Sequence, residues 1–265
     1  MARGVIRAGI GGWTFEPWRG VFYPDTLKQK DELAYAASKL TAIEINGTYY
    51  STFKPDSWAK WRAQTPDGFQ FAVKASRYCT NRKVLAEGGE SVGRFLNQGL
   101  VELGDRLGPI LWQFMATKKF DRDDFTGFLD LLPPKLEGLA LRHVVEVRHH
   151  SFNDPAFVAL CRERGVAICV AEHAEHPLIP DITADFVYLR LMAGSDDIPT
   201  GYVAKDLDAW ADRLQTYATG EVPSDFRVVD RTSPPAGAHD VFAFVIHEGK
   251  VRAPAAAMEL IARTC

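Results

Sequence analysis

The sequence predicts an α/β fold, a single (β/α)8 TIM-type barrel over residues 1–265 with some irregular or shortened helices. Eight short apolar runs alternate with amphipathic segments along the chain, and this alternation indicates a parallel sheet. The length of 265 residues also matches one such barrel. An open doubly wound sheet is the alternative, but GIGGW after the first run lacks the GxGxxG spacing of a dinucleotide-binding loop.

The eight strand predictions rest on short runs rich in β-branched and aromatic residues, which favour extended structure. In order, they cover residues 5–10, 42–46, 69–74, 110–114, 144–148, 166–171, 186–191 and 241–247.

Apolar residues at helical spacing predict helices in most of the intervening segments. Pro155 directly after Asp154 and a glycine at Gly165 are typical start and stop signals for one of them. The link 172–185 is too polar and too proline-broken for a full helix, and 222–239 predicts a long surface connection. The predicted helices cover residues 30–40, 57–64, 90–107, 121–132, 154–164, 206–218 and 255–263.

Composition narrows the class of partner. A net charge of −3 and a pI near 6.2 give no global attraction to nucleic acid or to an anionic membrane. The four cysteines show no CxxC spacing, which predicts reduced thiols and argues against a disulfide framework or a zinc site. With no signal peptide pattern and no run of 18 apolar residues, we expect a cytoplasmic protein with a small-molecule ligand and no membrane partner. The sequence predicts no cofactor, and it leaves the oligomeric state open.

Polar side chains interrupt the apolar strands near their carboxyl ends. In TAIEINGTYY, Glu44 and Asn46 share one face of a strand, while Ile43 and Ile45 share the other. In these barrels the carboxyl ends of the strands form the mouth that carries binding and catalytic side chains. A ligand site there is therefore predicted, the alternative being an ion-pair network that only stabilises the barrel. Polar residues at or near the other strand ends are Lys74, Gln113, Glu146, Arg148, His149, Glu172, His173, Arg190, His247 and Glu248.

Five segments together resemble the DUF72, or YecE-like, family: GGWTFEPWRGVFYP, TAIEINGTYYSTFKPDSWAKWRAQTPDGFQFAVKAS, LGPILWQF, VVEVRHHSF and TADFVYLRL. The resemblance implies a TIM-type barrel but no function. The sequence departs from the family pattern at Gly47, at Phe152, in the AEH segment 171–173 and near the last strand. The site residues that it implies are Trp13, Trp18, Arg19, Tyr23, Glu44, Asn46, Thr48, Tyr50, Lys74, Glu146, Arg148, His149 and Arg190.

The aromatic residues have two readings. A group of five could form a wall for a sugar or a base, or could serve only to anchor loops, whereas Trp58 and Trp61 have the helical spacing of packing residues. The five are Trp13, Trp18, Tyr23, Tyr49 and Tyr50.

An excess of cations near the mouth suits a phosphate or a carboxylate on the ligand. Three mechanisms stay open: acid–base chemistry by Glu44 and Glu146 flanking a small anionic or sugar-like metabolite, a Schiff base on Lys74, and a divalent metal. The first is the predicted function. The alternative without catalysis is a binding module for a small anion or a short single-stranded nucleic acid. The metal ligands would be Glu146, His149, Glu172 and His173.

Overall fold

The computed structural model describes residues 2–246 and 248–264, and within them eight parallel strands close into a barrel. Each strand pairs with its sequence neighbour, and the first pairs with the last. The predicted barrel is confirmed and the open sheet is excluded. The strands are β1 (Ile6–Gly11), β2 (Ala42–Ile45), β3 (Gln70–Lys74), β4 (Leu107–Gln113), β5 (His143–Glu146), β6 (Ala167–Glu172), β7 (Phe186–Leu191) and β8 (Asp240–Val245).

Among the described residues, six of the seven connections between consecutive strands contain an α-helix, and a further helix follows β8. The link from β6 to β7 is irregular, as its polar sequence predicts. The segment between the seventh helix and β8 is also irregular among the described residues. The α-helices are α1 (Glu32–Lys39), α2 (Pro55–Ala63), α3 (Arg77–Thr80), α4 (Gly89–Leu96), α5 (Arg122–Leu129), α6 (Pro155–Glu163), α7 (Ala204–Ala218) and α8 (Ala253–Thr264). None of them is long and apolar enough to cross a membrane.

The single helix predicted over 90–107 is wrong. Helix α4 ends at Leu96, a 3-10 helix follows over Leu100–Arg106, and β4 already begins at Leu107. Gly99 between the two helices has φ +111, a left-handed conformation that favours glycine. A Cβ there would also lie 2.9 Å from Pro55 of α2, so close packing and backbone conformation together break the helix.

Side chains that alternate between the two faces of each strand form two hydrophobic cores, one between the barrel and the helices and one inside the barrel. Ile43 and Ile45 of β2 face the helices and belong to the larger core, as predicted. Ala72 of β3, Tyr188 of β7 and Phe244 of β8 belong to a smaller core inside the barrel. Because side chains alternate with a period of two, the next inward positions after Ala72 and Tyr188 are Lys74 and Arg190 of the predicted site, whereas Phe244 is followed by the apolar Ile246.

Candidate functional site

Arg190 on β7 joins two buried carboxylates inside the barrel. Its Nε and NH2 groups donate to Glu44 at 3.2 and 3.0 Å, and its NH1 group donates to Glu146 at 2.5 Å. The Tyr188 hydroxyl donates to the same Glu44 carboxylate at 2.5 Å, and Arg148 donates its Nε to Glu146 at 2.7 Å. Both carboxylates are fully buried, so each depends on these charged donors for its solvation.

This network differs from the predicted arrangement in one respect. The two carboxylates flank the guanidinium of Arg190, whereas the sequence predicted that they flank a ligand. The reason is that the inward position near the end of β7 carries a side chain long enough to reach both β2 and β5.

The charged neighbours fix the ionisation of the network. Burial raises the pKa of Glu146, but Arg190 and Arg148 outweigh burial and bring that pKa down to about 2. Burial and the adjacent Glu44 raise the pKa of Tyr188 well above its ordinary value. At neutral pH Glu146 is therefore a carboxylate and Tyr188 a neutral hydrogen-bond donor.

A cavity of about 520 Å³ opens at the carboxyl ends of the strands, with Arg190 in its wall. Residues from β1 to β5, β7 and β8, or from the loops after them, line it, so the ring brings together segments far apart in the chain. The lining residues are Gly11, Trp18, Asn46, Tyr49, Tyr50, Lys74, Gln113, Arg148, Arg190, Met192, Val245, Ile246, Lys250 and Ala253.

Lys74, the last residue of β3, points its amine into this cavity. Its Nζ lies 4.3 Å from the ring centroid of Tyr49, a cation–π contact. Within residues 2–246 and 248–264 no carboxylate lies within ion-pair distance of it. Burial first, and then the positive charge of Arg190, lower the pKa of Lys74 to about 8. Lys74 is therefore a partly deprotonated amine near neutral pH, exposed to whatever enters the cavity.

Besides the buried carboxylates Glu44 and Glu146, five of the predicted site residues lie outside the cavity lining. Trp13 packs edge-on against Trp61, and Tyr23 donates its hydroxyl to the Trp13 carbonyl at 2.6 Å. Arg19 pairs with Glu32 at 2.9 Å. Their contacts are those of loop anchors. The five are Trp13, Arg19, Tyr23, Thr48 and His149.

Thr48 ties the loop after β2 to the end of β3. Its buried hydroxyl contacts the Lys74 carbonyl at 2.6 Å and the Ile45 carbonyl at 3.1 Å. We expect Thr48→Val to lower the free energy of unfolding by about 1–2 kcal/mol, since it leaves a buried carbonyl unpaired at nearly constant shape. Urea denaturation measures this change, and a loss below about 0.3 kcal/mol would contradict the role assigned to the hydroxyl.

Tyr188 of the buried network and Lys250 of the cavity lining were missing from the predicted site. Tyr188 occupies the inward position two residues before Arg190, so the period-two pattern of β7 could have identified it. Lys250 comes from the loop after β8, and its carbonyl accepts a 2.8 Å hydrogen bond from the Trp18 indole. Nothing in the local sequence indicates that this loop reaches the β1 loop. The predicted residue His247 lies outside the described residues.

The predicted metal ligands have other contacts. Glu172 accepts hydrogen bonds from the Tyr202 hydroxyl at 2.6 Å and the Trp210 indole at 2.9 Å. His149 accepts from the Ser151 backbone at 3.0 Å, and the His173 ring stacks on His176 at 3.8 Å. In the part of the chain that the structure describes, no group of three or more His, Cys, Asp or Glu side chains is placed to hold a metal ion. The metal-dependent alternative is not supported by this geometry.

Comparison with known proteins places this arrangement in a family. The family model described as "Protein of unknown function DUF72" matches residues 7–264. The UPF0759 protein YecE of Escherichia coli K12 is 31% identical over 151 residues, which cover 56% of this chain and 50% of YecE. The match therefore spans about half the length of that curated relative.

Two solved structures show the same fold. A DUF72 family protein of Thermotoga maritima superposes with a TM-score of 0.69 at 23% identity, covering 97% of each chain. One of Enterococcus faecalis gives a TM-score of 0.71 at 16% identity and covers 98% of this chain and 95% of its own. Likeness at this level of identity establishes the barrel fold only.

Proposed function

This chain belongs to the DUF72 family, and from that premise we propose that it is an enzyme acting on a small anionic metabolite, with a phosphate or a carboxylate, at the mouth of the barrel. Lys74 carries the acid–base step. The observation that supports this most directly is an amine without an ion pair among the described residues, in a cavity lined by further cations.

The charge of the cavity supports an anionic ligand. Among the described residues, four cationic side chains line it and the carboxylates of Glu44 and Glu146 lie buried next to it, so positive charge is in excess when Lys74 is protonated. Guanidinium groups offer a planar fork of donors to a carboxylate or phosphate. The four cations are Lys74, Arg148, Arg190 and Lys250.

The carboxylates have a supporting role in this proposal. A pKa of about 2 leaves Glu146 without a proton to donate at neutral pH. Both carboxylate oxygens of Glu44 accept hydrogen bonds from Arg190 or Tyr188. The pair therefore fixes the position of Arg190 at the cavity wall, and the proton transfer that the sequence assigned to the carboxylates falls to Lys74.

The amine of Lys74 suits such a transfer. A general base works best when its pKa lies near the working pH, and the pKa of Lys74 is lowered to about 8. The same neutral amine could attack a carbonyl carbon, so a Schiff base on Lys74 remains the second version of the mechanism.

A ligand screen with a matched pair of variants tests the proposal. We expect Arg148→Gln to weaken binding of a phosphorylated or carboxylated metabolite about 10- to 100-fold, because charge-assisted hydrogen bonds contribute about 1.5–3 kcal/mol each. Arg62→Gln makes the same charge change at an arginine that pairs with the exposed Asp105 on the outside of the barrel. Hits are found by thermal shift and confirmed by titration calorimetry. Equal affinities for the two variants would overturn the anion site.

Turnover separates the enzyme from the second candidate, a binding module. The specific observation in favour of the module is a pair of exposed tyrosines beside the cavity: Arg77 lies 5.9 Å from the Tyr50 ring and 5.3 Å from the Tyr78 ring. Such a platform suits a short single strand of nucleic acid. Affinity for oligonucleotides that falls steeply with salt, together with no turnover of any small-molecule hit, would favour the module.

A further inference from the structure

We propose that the bound metabolite carries several hydroxyl groups as well as its anionic group, so that the substrate class is a polyhydroxylated anion, either a sugar acid or a sugar phosphate. This inference rests on the proposed function for the location of the site. It is carried by two buried acceptor atoms in the cavity wall, neither of which has a hydrogen-bond partner among the described residues.

The first acceptor is Oε1 of Gln113, at the end of β4. The residue is 8% exposed and lines the cavity, and Oε1 has no hydrogen-bond partner among the described residues. Leaving a buried polar atom unpaired is costly, so most such atoms in proteins have a partner. An unpaired acceptor in a cavity wall indicates a donor that arrives from outside the chain.

The second acceptor is Oδ1 of Asn46, directly after β2, which is buried and equally unpartnered over residues 2–246 and 248–264. The same amide group donates its Nδ2 to the Glu44 carbonyl at 3.4 Å. Gly11 makes room for it, since a Cβ at Gly11 would lie 2.9 Å from Nδ2. The backbone contact and the packing together orient the amide, so Oδ1 stays free for a donor.

The barrel places these acceptors on either side of Lys74. Strands β2, β3 and β4 are consecutive in the ring, and β5 follows them. Around the rim the order is therefore an acceptor at Asn46, the amine of Lys74, an acceptor at Gln113 and the cation of Arg148. Neighbouring strands lie about 4.8 Å apart, so the two acceptors are separated by roughly 10 Å at the backbone.

This order matches one kind of molecule. An extended metabolite with its anionic group at Arg148 presents one hydroxyl to Gln113, the reacting carbon to Lys74 and a second hydroxyl to Asn46. Hydroxyl groups are the donors that fit, because an ammonium donor would be repelled by the surrounding cations. A site that accepts hydrogen bonds from substrate hydroxyls also rejects analogues that lack them.

The test uses ligand pairs with equal charge and chain length. Gluconate is compared with hexanoate, and the open-chain sorbitol 6-phosphate with hexyl phosphate, by calorimetry at one ionic strength. We expect the hydroxylated member of at least one pair to bind tenfold or more tightly. A preference within the carboxylate pair would indicate a sugar acid as the substrate, and a preference within the phosphate pair would indicate a sugar phosphate.

A variant assigns the preference to the acceptor. Gln113→Leu should reduce the difference in affinity within a pair to about threefold or less, while the affinity for the deoxygenated ligand stays the same. Gln64→Leu, at an exposed position after α2, should change neither the difference nor the affinity. Without ligand, Gln113→Leu should also raise the melting temperature by roughly 2 °C or more, because it removes an unpaired buried acceptor. A lower melting temperature would show that Oε1 has a partner in the free protein and would overturn the inference.

The remaining outcomes separate this inference from the proposed function. Equal affinity within both pairs would mean that water satisfies the two acceptors, which overturns the inference and leaves the anion site standing. Binding of sorbitol as tight as that of gluconate would overturn the anion site, and with it the polyhydroxylated anion. Failure of all four anions to bind at millimolar concentration counts against both.

Discussion

Arg190→Met is expected to lower the free energy of unfolding by about 3–5 kcal/mol at pH 7, the largest stability effect among these predictions. The substitution keeps most of the side-chain volume but removes the guanidinium donors that join Glu44 to Glu146, which are both fully buried. Among the described side chains, Glu44 would then keep the Tyr188 hydroxyl as its donor, and Glu146 would keep Arg148. Urea denaturation monitored by tryptophan fluorescence measures the loss.

The pH dependence gives this prediction a signature. In the parent protein the pKa of Glu146 is about 2, below its ordinary 4.5, so its ionised form contributes stability above about pH 4.5. By the sign of proton linkage, that contribution, on the order of 3 kcal/mol, is lost as the pH falls through 2. Without Arg190 the pKa of Glu146 rises. Protonation therefore removes the cost of the buried negative charge at a higher pH in the variant than in the parent. The stability difference between variant and parent should therefore shrink between pH 7 and pH 4.

Two controls accompany this experiment. Arg190→Lys restores one charge but not the planar fork, so we expect a loss between those of the parent and the methionine variant. Arg62→Met removes an arginine whose partner Asp105 is exposed, and should cost less than about 1 kcal/mol. If Arg190→Met matched Arg62→Met, or lost stability equally at pH 7 and pH 4, the buried network would not be the main source of the effect.

Lys74→Met is expected to lower turnover of the substrate by about 10²- to 10⁴-fold, the usual range for loss of a general acid or base. The ligand-free protein should become more stable at neutral pH. A lysine pKa lowered to about 8 means that the unfolded chain holds the proton more tightly than the folded one, so protonated Lys74 costs stability below pH 8. As the pH rises from 8 toward 10.5, that cost disappears and the advantage of the variant should disappear with it.

Chemical labelling tests the same amine without a known substrate. At pH 8 about half of the Lys74 side chains are neutral, whereas an ordinary lysine with a pKa of about 10.4 is less than about 1% neutral. Acetic anhydride should therefore acetylate Lys74 at least tenfold faster than the exposed lysines in the same digest, as measured by mass spectrometry. Anionic ligands found in the screen should slow the labelling of Lys74 and leave the other sites unchanged.

Lys74→Arg separates charge from proton transfer. Arginine keeps a positive charge at every accessible pH but gives up no proton, so binding of anionic ligands should persist while turnover is lost. Turnover by Lys74→Arg within threefold of the parent would assign Lys74 to ligand binding alone. In that case Lys74 of the parent protein should still be acetylated rapidly, because the labelling rate reports the neutral amine and not the enzymatic reaction.

Local pattern alone predicted much of this protein. Apolar runs at strand spacing placed all eight strands, and alternation placed Glu44 inward and Ile43 outward, because the period of two belongs to each strand by itself. The same rule indicated that Lys74 and Arg190 would reach the mouth of the barrel, where both now line one cavity. The break of the predicted 90–107 helix at Gly99 was missed because it depends on packing against α2.

The tertiary structure alone decided which partner each polar group takes. Glu44 and Arg190 are 146 positions apart, and only closure of the ring brings the guanidinium between the two carboxylates. That placement left Lys74 without an ion pair among the described residues and gave the carboxylates a supporting role. A strand's own sequence determines which side chains point into the barrel. The partner that each inward side chain contacts comes from strands elsewhere in the chain.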